Sequence, residues 1–138
     1  MVSLHWDQSL ELGFVPMDDL HKQLVAHMSV VDGCPDNTLA AEWQSLVACA
    51  HALFAQEDAW MKHTHFSSAP NHSLHHRVVL NVLREGLVMA RANQFDQVRK
   101  LSAELAHWLS KHIQSQDAAL ALHMRRHPGA CKLTGTLH

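Results

Sequence analysis

No tyrosine occurs in this chain, and five glycines and four prolines are thinly spread through its 138 residues. No stretch alternates apolar and polar residues with the period of a half-buried strand. The chain therefore reads as mainly helical rather than as a sheet protein. Runs of 18 apolar residues are also missing, so no membrane span is expected. Cys34, Cys49 and Cys131 are odd in number and widely spaced. They make neither a disulfide framework nor a Cys-x-x-Cys knuckle, which fits a reducing cytoplasm. The opening Met-Val-Ser-Leu-His-Trp-Asp lacks the basic and apolar regions of a signal peptide, so a cytoplasmic location is expected. A formal charge of −2 with neutral histidines gives no electrostatic reason to expect nucleic acid or anionic lipid as a partner.

What the chain has in excess is histidine. Fourteen of them raise the prior for metal binding, and they also raise the rate of accidental motifs, so spacing has to be judged strictly.

The length suits one domain, 1–138, large enough to bury a core. Residues 1–16 read as an irregular arm in which Trp6, Leu10, Leu12 and Phe14 can pack while Gly13 and Pro16 interrupt helix formation. Helical periodicity then predicts a first helix from about Asp18, taken as its N-cap, to Val31, with the stripe Met17, Leu20, Leu24, Val25, Met28 and Val31. A second helix is predicted over about 39–65, carrying Trp43, Leu46, Ala50, Leu53, Glu57, Trp60 and Met61 on one side. The third is predicted over about 72–92 behind Asn71, with Val79, Leu80, Leu83 and Leu87. The fourth, over about 96–125, carries Val98, Leu101, Leu105, Trp108 and Leu109. Pro128 and Gly129 end any helix, so about 126–138 reads as a loose tail. Four amphipathic helices with short links predict an all-α, up-down-up-down four-helix bundle.

Six metal-capable residues fall in order on these helices: His21, Glu57, His72, His76, His112 and Asp117. His72-x-x-x-His76 puts two imidazoles one turn apart on one face. Such a pair is weak alone, since His123 and His127 form another without context. His72 and His76, unlike them, extend the core stripe of Val79, Leu80 and Leu83. His112 extends the stripe of Leu105, Trp108 and Leu109, and Asp117 follows five residues later. In an α-helix that step turns about 140° and rises about 7.5 Å, so the two side chains should diverge around a point rather than chelate one ion side by side. Glu57 interrupts the apolar stripe of the second helix and His21 that of the first. Buried carboxylates facing imidazoles are best explained by cations, with the mixed donors suiting iron or manganese, and zinc possible.

The chain resembles the hemerythrins over nearly its whole length. The resemblance is carried by Leu4-His5-Trp6-Asp7, by Gly13, by the run Asp18 to Val25, by Phe54-Ala55-Gln56-Glu57-Asp58-Ala59-Trp60-Met61, by His72-x-x-x-His76, and by Trp108-Leu109-Ser110-Lys111-His112 through Asp117. It implies two non-haem irons that bind dioxygen reversibly. One iron would be held by His72, His76 and His112, with Glu57 and Asp117 bridging to a second. The second would have His21, but its other histidine falls at Leu53, which cannot ligate. His51 is turned about 200° away from Leu53, and His63 and His65 lie more than a turn beyond Glu57.

The function expected is binding of dioxygen, or of another small diatomic or anionic ligand, by a carrier, store or sensor, without catalysis, since no acid, base or nucleophile stands outside the ligand set. Two rivals remain. One is an iron redox enzyme acting on peroxide or dioxygen, which turnover with a reductant would reveal. The other is a one-metal or metal-free interaction module, which metal content would reveal. The remaining histidines (His5, His27, His51, His63, His65, His75, His107, His123, His127, His138) are expected at the surface, and Met17, Met28, Met61 and Met89 in the core.

Overall fold

The computed structural model describes residues 4–129; Met1–Ser3, Cys131, His138 and all of the expected tail beyond 129 lie outside them. Helix α1 spans Val15–Gly33, α2 Asp36–His63, α3 Ala69–Arg91 and α4 Phe95–His112. A π-helical turn, Ile113–Asp117, then leads without a break into α5, Ala118–Arg125. Each long helix packs on the next, and α1 closes against α4, which makes a four-helix bundle.

Three helices begin three residues earlier than the sequence pattern suggests, at Val15, Asp36 and Ala69. Proline explains all three. Pro16 and Pro70 lie in the first turns of α1 and α3, and Pro35 immediately precedes α2. A first-turn residue donates no intrahelical bond, so the missing N–H costs nothing there. At the other end, α2 stops at His63 instead of His65, which takes a left-handed φ of 55°.

Asp18 is therefore not an N-cap. It is buried inside α1, and its carboxylate accepts the backbone N–H groups of Leu12 at 2.9 Å and Gly13 at 3.1 Å. Those bonds dock the N-terminal arm, and the Arg125 guanidinium ties its Leu12 carbonyl to the end of α5. Within the arm, Gln8–Leu10 form a short 3-10 turn that buries Leu10.

The core is two apolar clusters with a polar layer between them. The larger contains Leu24, Met28, Trp43, Leu46, Leu53, Phe54, Leu83 and Leu109. The smaller contains Phe14, Met17, Trp60, Met61, Leu120 and Met124. On α1, His21 lies between Met17 and Leu24, and on α2, Glu57 lies between Phe54 and Trp60. The larger cluster also sets the spacing of α2 and α3. The Trp43 indole N–H donates to the Leu83 carbonyl at 2.7 Å, and its ring lies over Gly86, where a Cβ would stand 2.5 Å from it.

Candidate metal centre

Four helices and the π-helical turn send side chains into the polar layer. His21, Glu57, His72, His76, His112 and Asp117 are all buried there. Each continues the inward stripe of its own helix, so the packing that forms the core also aims the polar groups.

The two carboxylates straddle the layer. Glu57 turns Oε1 towards His76 Nε2 at 3.0 Å and His72 Nε2 at 3.6 Å, and Oε2 towards His21 Nε2 at 2.9 Å. Asp117 does the same, with Oδ1 3.0 Å from His72 Nε2 and 3.1 Å from His112 Nε2, and Oδ2 3.1 Å from His21 Nε2. One side of the pair thus faces three imidazoles and the other faces one.

The close approach of His112 and Asp117 corrects the expectation that they diverge. Residues five apart are rotated in an α-helix, but the i→i+5 bonding of a π turn brings them nearly over one another. Here the Ala118 N–H reaches back to the Ile113 carbonyl, which closes that turn. The Ser115 hydroxyl donates to the Lys111 carbonyl at 2.6 Å in the same stretch.

The three-imidazole side has the marks of a cation site. Nε2 of His72, His76 and His112, Oε1 of Glu57 and Oδ1 of Asp117 are all buried without a hydrogen-bond partner. One ligand atom from each of these five residues lies within 4.8 Å of the others. Buried polar atoms left unpaired cost about 1–3 kcal/mol each, so five converging on one point make a poor proton-bonded core. A cation at that point would satisfy all five. Three imidazoles with two carboxylates fit iron or manganese well, and zinc acceptably. Among the described residues, the other side offers His21 Nε2, Glu57 Oε2 and Asp117 Oδ2.

Leu53 is apolar and adds no donor to either side. It is buried one turn before Glu57 and lines the α1–α2 groove with Leu20, the neighbour of His21. His51, His63 and His65 are all exposed, so none joins the buried cluster.

Charge is balanced inside the cluster. Burial works against charge on His21, but Asp117 and Glu57 outweigh it and raise the imidazole from an ordinary 6.5 to about 10. The same opposition raises His72 to about 9, and His76 is raised as well. For Glu57, burial and the Asp117 charge push upward, yet His21, His72 and His76 hold it down at about 2. Asp117 is held well below the carboxylate range, against its own burial, by His112, His21 and His72. The carboxylates thus stay ionised and demand positive charge, which either protons or metal can supply.

Two supporting contacts were not foreseen. Phe54 stacks on His76 with ring centroids 4.2 Å apart and planes within 6°. The Asp58 carboxylate lies 2.9 Å from His76 Nδ1 and accepts from the Ser73 hydroxyl at 2.8 Å. Asp58 interrupts no stripe, so only the packing of α2 on α3 reveals it. Trp108, one turn before His112 in the same stripe, stacks on His112 at 4.5 Å. Of the remaining histidines, His5, His51, His63, His65, His107 and His127 are exposed, and His27, His75 and His123 are half-buried.

Above the centre, Leu24, Met28, Phe54, Val79, Leu83 and Trp108 help enclose an apolar cavity of about 20 Å³. No helix among the described residues is long and apolar enough to cross a membrane.

No protein-family model matches the chain, and no solved structure matches it. Curated relatives do. It is 28% identical over 119 residues to a bacteriohemerythrin of Ralstonia nicotianae, covering 85% of each chain. It is 28% identical over 112 residues to a myohemerythrin of Sipunculus nudus, covering 81% of this chain and 86% of that one. A bacteriohemerythrin of Pseudomonas paraeruginosa is 25% identical over 122 residues, covering 86% of this chain and 79% of that one.

Proposed function

We propose that this chain, a relative of the hemerythrins, is a non-haem iron protein that binds dioxygen at a carboxylate-bridged centre. The observation that carries the reading is the straddling pair. Glu57 and Asp117 each turn one oxygen to a three-imidazole side and the other to His21. His72, His76 and His112 would hold one iron, Glu57 and Asp117 would bridge, and His21 would serve a second. Iron bound there supplies the capacity to take up dioxygen and release it.

The chain's own residues prepare that chemistry. The imidazoles, once a metal replaces their protons, present neutral Nε2 lone pairs. Ionised Glu57 and Asp117 offset the metal's charge inside a dry layer. The apolar cavity above has room for one small molecule and no polar group to hold water, which favours an uncharged diatomic. Among the described residues, nothing beyond the ligand set is placed to move a proton to a bound molecule, which favours binding over catalysis. A carrier, store or sensor in the cytoplasm fits this chemistry, and the free thiols of Cys34 and Cys49 suit a reducing compartment.

Leu53 favours one variation, in which the three-imidazole side keeps iron and the His21 side holds it weakly or not at all. Iron content after anaerobic purification, followed by dioxygen uptake per chain, tests both forms. Iron that binds tightly and a spectrum that changes reversibly with dioxygen are expected. A chain that takes up no iron would refute the reading, and consumption of dioxygen or peroxide through repeated turnovers would favour an enzyme.

A further inference from the structure

We propose that Asp58 is a positioning residue for the metal centre, setting the tautomer and orientation of His76 from behind. This rests on the three-imidazole side being a metal site.

An ionised carboxylate can only accept hydrogen bonds. With Asp58 Oδ1 2.9 Å from His76 Nδ1, a ring that gives up its Nε2 proton to a metal keeps the other on Nδ1. Nε2 then keeps its lone pair, and it is Nε2 that stands 3.0 Å from Glu57 Oε1 in the polar layer. The opposite tautomer would put a proton where a metal must bind.

The carboxylate is itself fixed. The Ser73 hydroxyl donates to the same Oδ1 at 2.8 Å from α3, three residues before His76. Phe54 stacks flat on the His76 ring from α2, one turn before Asp58. The ring is thus held by its edge and its face from one side of α2, leaving it little freedom to turn.

Neither of the other two imidazoles on that side has such support. His72 Nδ1 is buried with no partner, and His112 is stacked on Trp108 without a carboxylate behind it among the described residues. A carboxylate behind a ligating imidazole also makes the ring a better donor, and its loss costs about 10–100-fold in metal affinity. Asp58 is 42% exposed, so water screens the pair and the lower part of that range applies.

The test uses the full chain, zinc as probe, and the variants Asp58→Ala, Asp58→Asn and Ser73→Ala. Zinc affinity is measured by chelator competition, and the His76 tautomer by nitrogen-15 NMR of the zinc-free protein at alkaline pH, where the ring is neutral. Asp58→Ala should weaken zinc about 10-fold and shift the neutral zinc-free His76 ring towards the Nε2–H tautomer that Glu57 favours. Asp58→Asn keeps an acceptor oxygen without the charge, so it should retain the Nδ1–H tautomer and lose less affinity. Ser73→Ala should lose least. The half-exposed position of Asp58 leaves the bundle folded, and the zinc-free melting temperature checks this. If Asp58→Ala does not fold, the ordering of wild type, Ser73→Ala and Asp58→Asn carries the test. Unchanged zinc affinity and unchanged tautomer in the Asp58 variants overturn the inference while the metal site stands. A wild-type chain that binds no zinc at its histidines overturns the metal site, and the inference with it.

Discussion

The two sides of the Glu57–Asp117 pair are built from different material. One side offers five buried donors, with His76 steadied by Asp58 and His112 by Trp108. The other offers His21 and the two far carboxylate oxygens, with Leu53 packed at the position one turn before Glu57. The lesson is that bridging groups alone do not make two equal sites. A bridge shares charge, but the terminal imidazoles decide how tightly each ion is held.

The largest effect should come from breaking the stronger side. His72→Ala removes one of its three imidazoles and leaves Glu57 and Asp117 short of positive charge. Tight iron should be lost, and with it the stabilisation by bound metal, about 4 kcal/mol at a thousandfold excess over Kd. Thermal melts with and without iron check this, since His72→Ala should erase the difference between them.

Next comes pH, where metal-free and metal-loaded protein should respond with opposite slopes. Without metal, His21 is raised from 6.5 to about 10, so its contribution is complete below about 6.5 and fades as pH rises through 10. Glu57, lowered from 4.5 to about 2, contributes fully above 4.5 and fades as pH falls through 2. The metal-free melting temperature should therefore fall between pH 6.5 and 10. With metal, protons compete for the imidazoles, so the melting temperature should fall as pH drops from 7.5 to 5. Parallel slopes in the two forms would mean that the histidines hold no metal.

A smaller effect sharpens the comparison directly. Leu53→Asn, like any polar replacement, should cost about 1–3 kcal/mol in the metal-free protein, because a buried polar group is left unpaired. Leu53→His should incur the same cost without metal but recover it with iron, by adding a donor to the His21 side. Chemical denaturation of both variants, with and without iron, separates ligation from simple polarity.

The smallest effect on the centre should come from far up the larger cluster. Gly86→Ala drives a Cβ into the Trp43 ring and should cost about 1–3 kcal/mol through overpacking. Iron stoichiometry should not change, and a lost iron there would show that the centre depends on distant packing.

Much of this was legible in the sequence. His21, Glu57, His72, His76 and His112 continue apolar stripes at helical spacing, so their convergence follows from the same periodicity that forms the bundle. The gap at Leu53 was implied by the resemblance to the hemerythrins and not by the stripe, which an apolar residue there simply continues. The start of α1 was misjudged because Pro16 was read as an interruption, although proline is favoured in a first turn, where Pro70 also sits in α3. The π turn was not legible, because a five-residue spacing assumes an angle per residue that the backbone there does not keep. Asp58 was hidden because its role depends on which helix lies beside α2, and no pattern within α2 reports that.

Anaerobic titration of the metal-free, unmodified chain with ferrous iron tests the asymmetry most directly. We expect one equivalent to bind tightly, lost in His72→Ala, and any second equivalent to bind at least about 10-fold more weakly, as a missing ligand predicts. Two equivalents of equal affinity, or none that depends on His72, would contradict it.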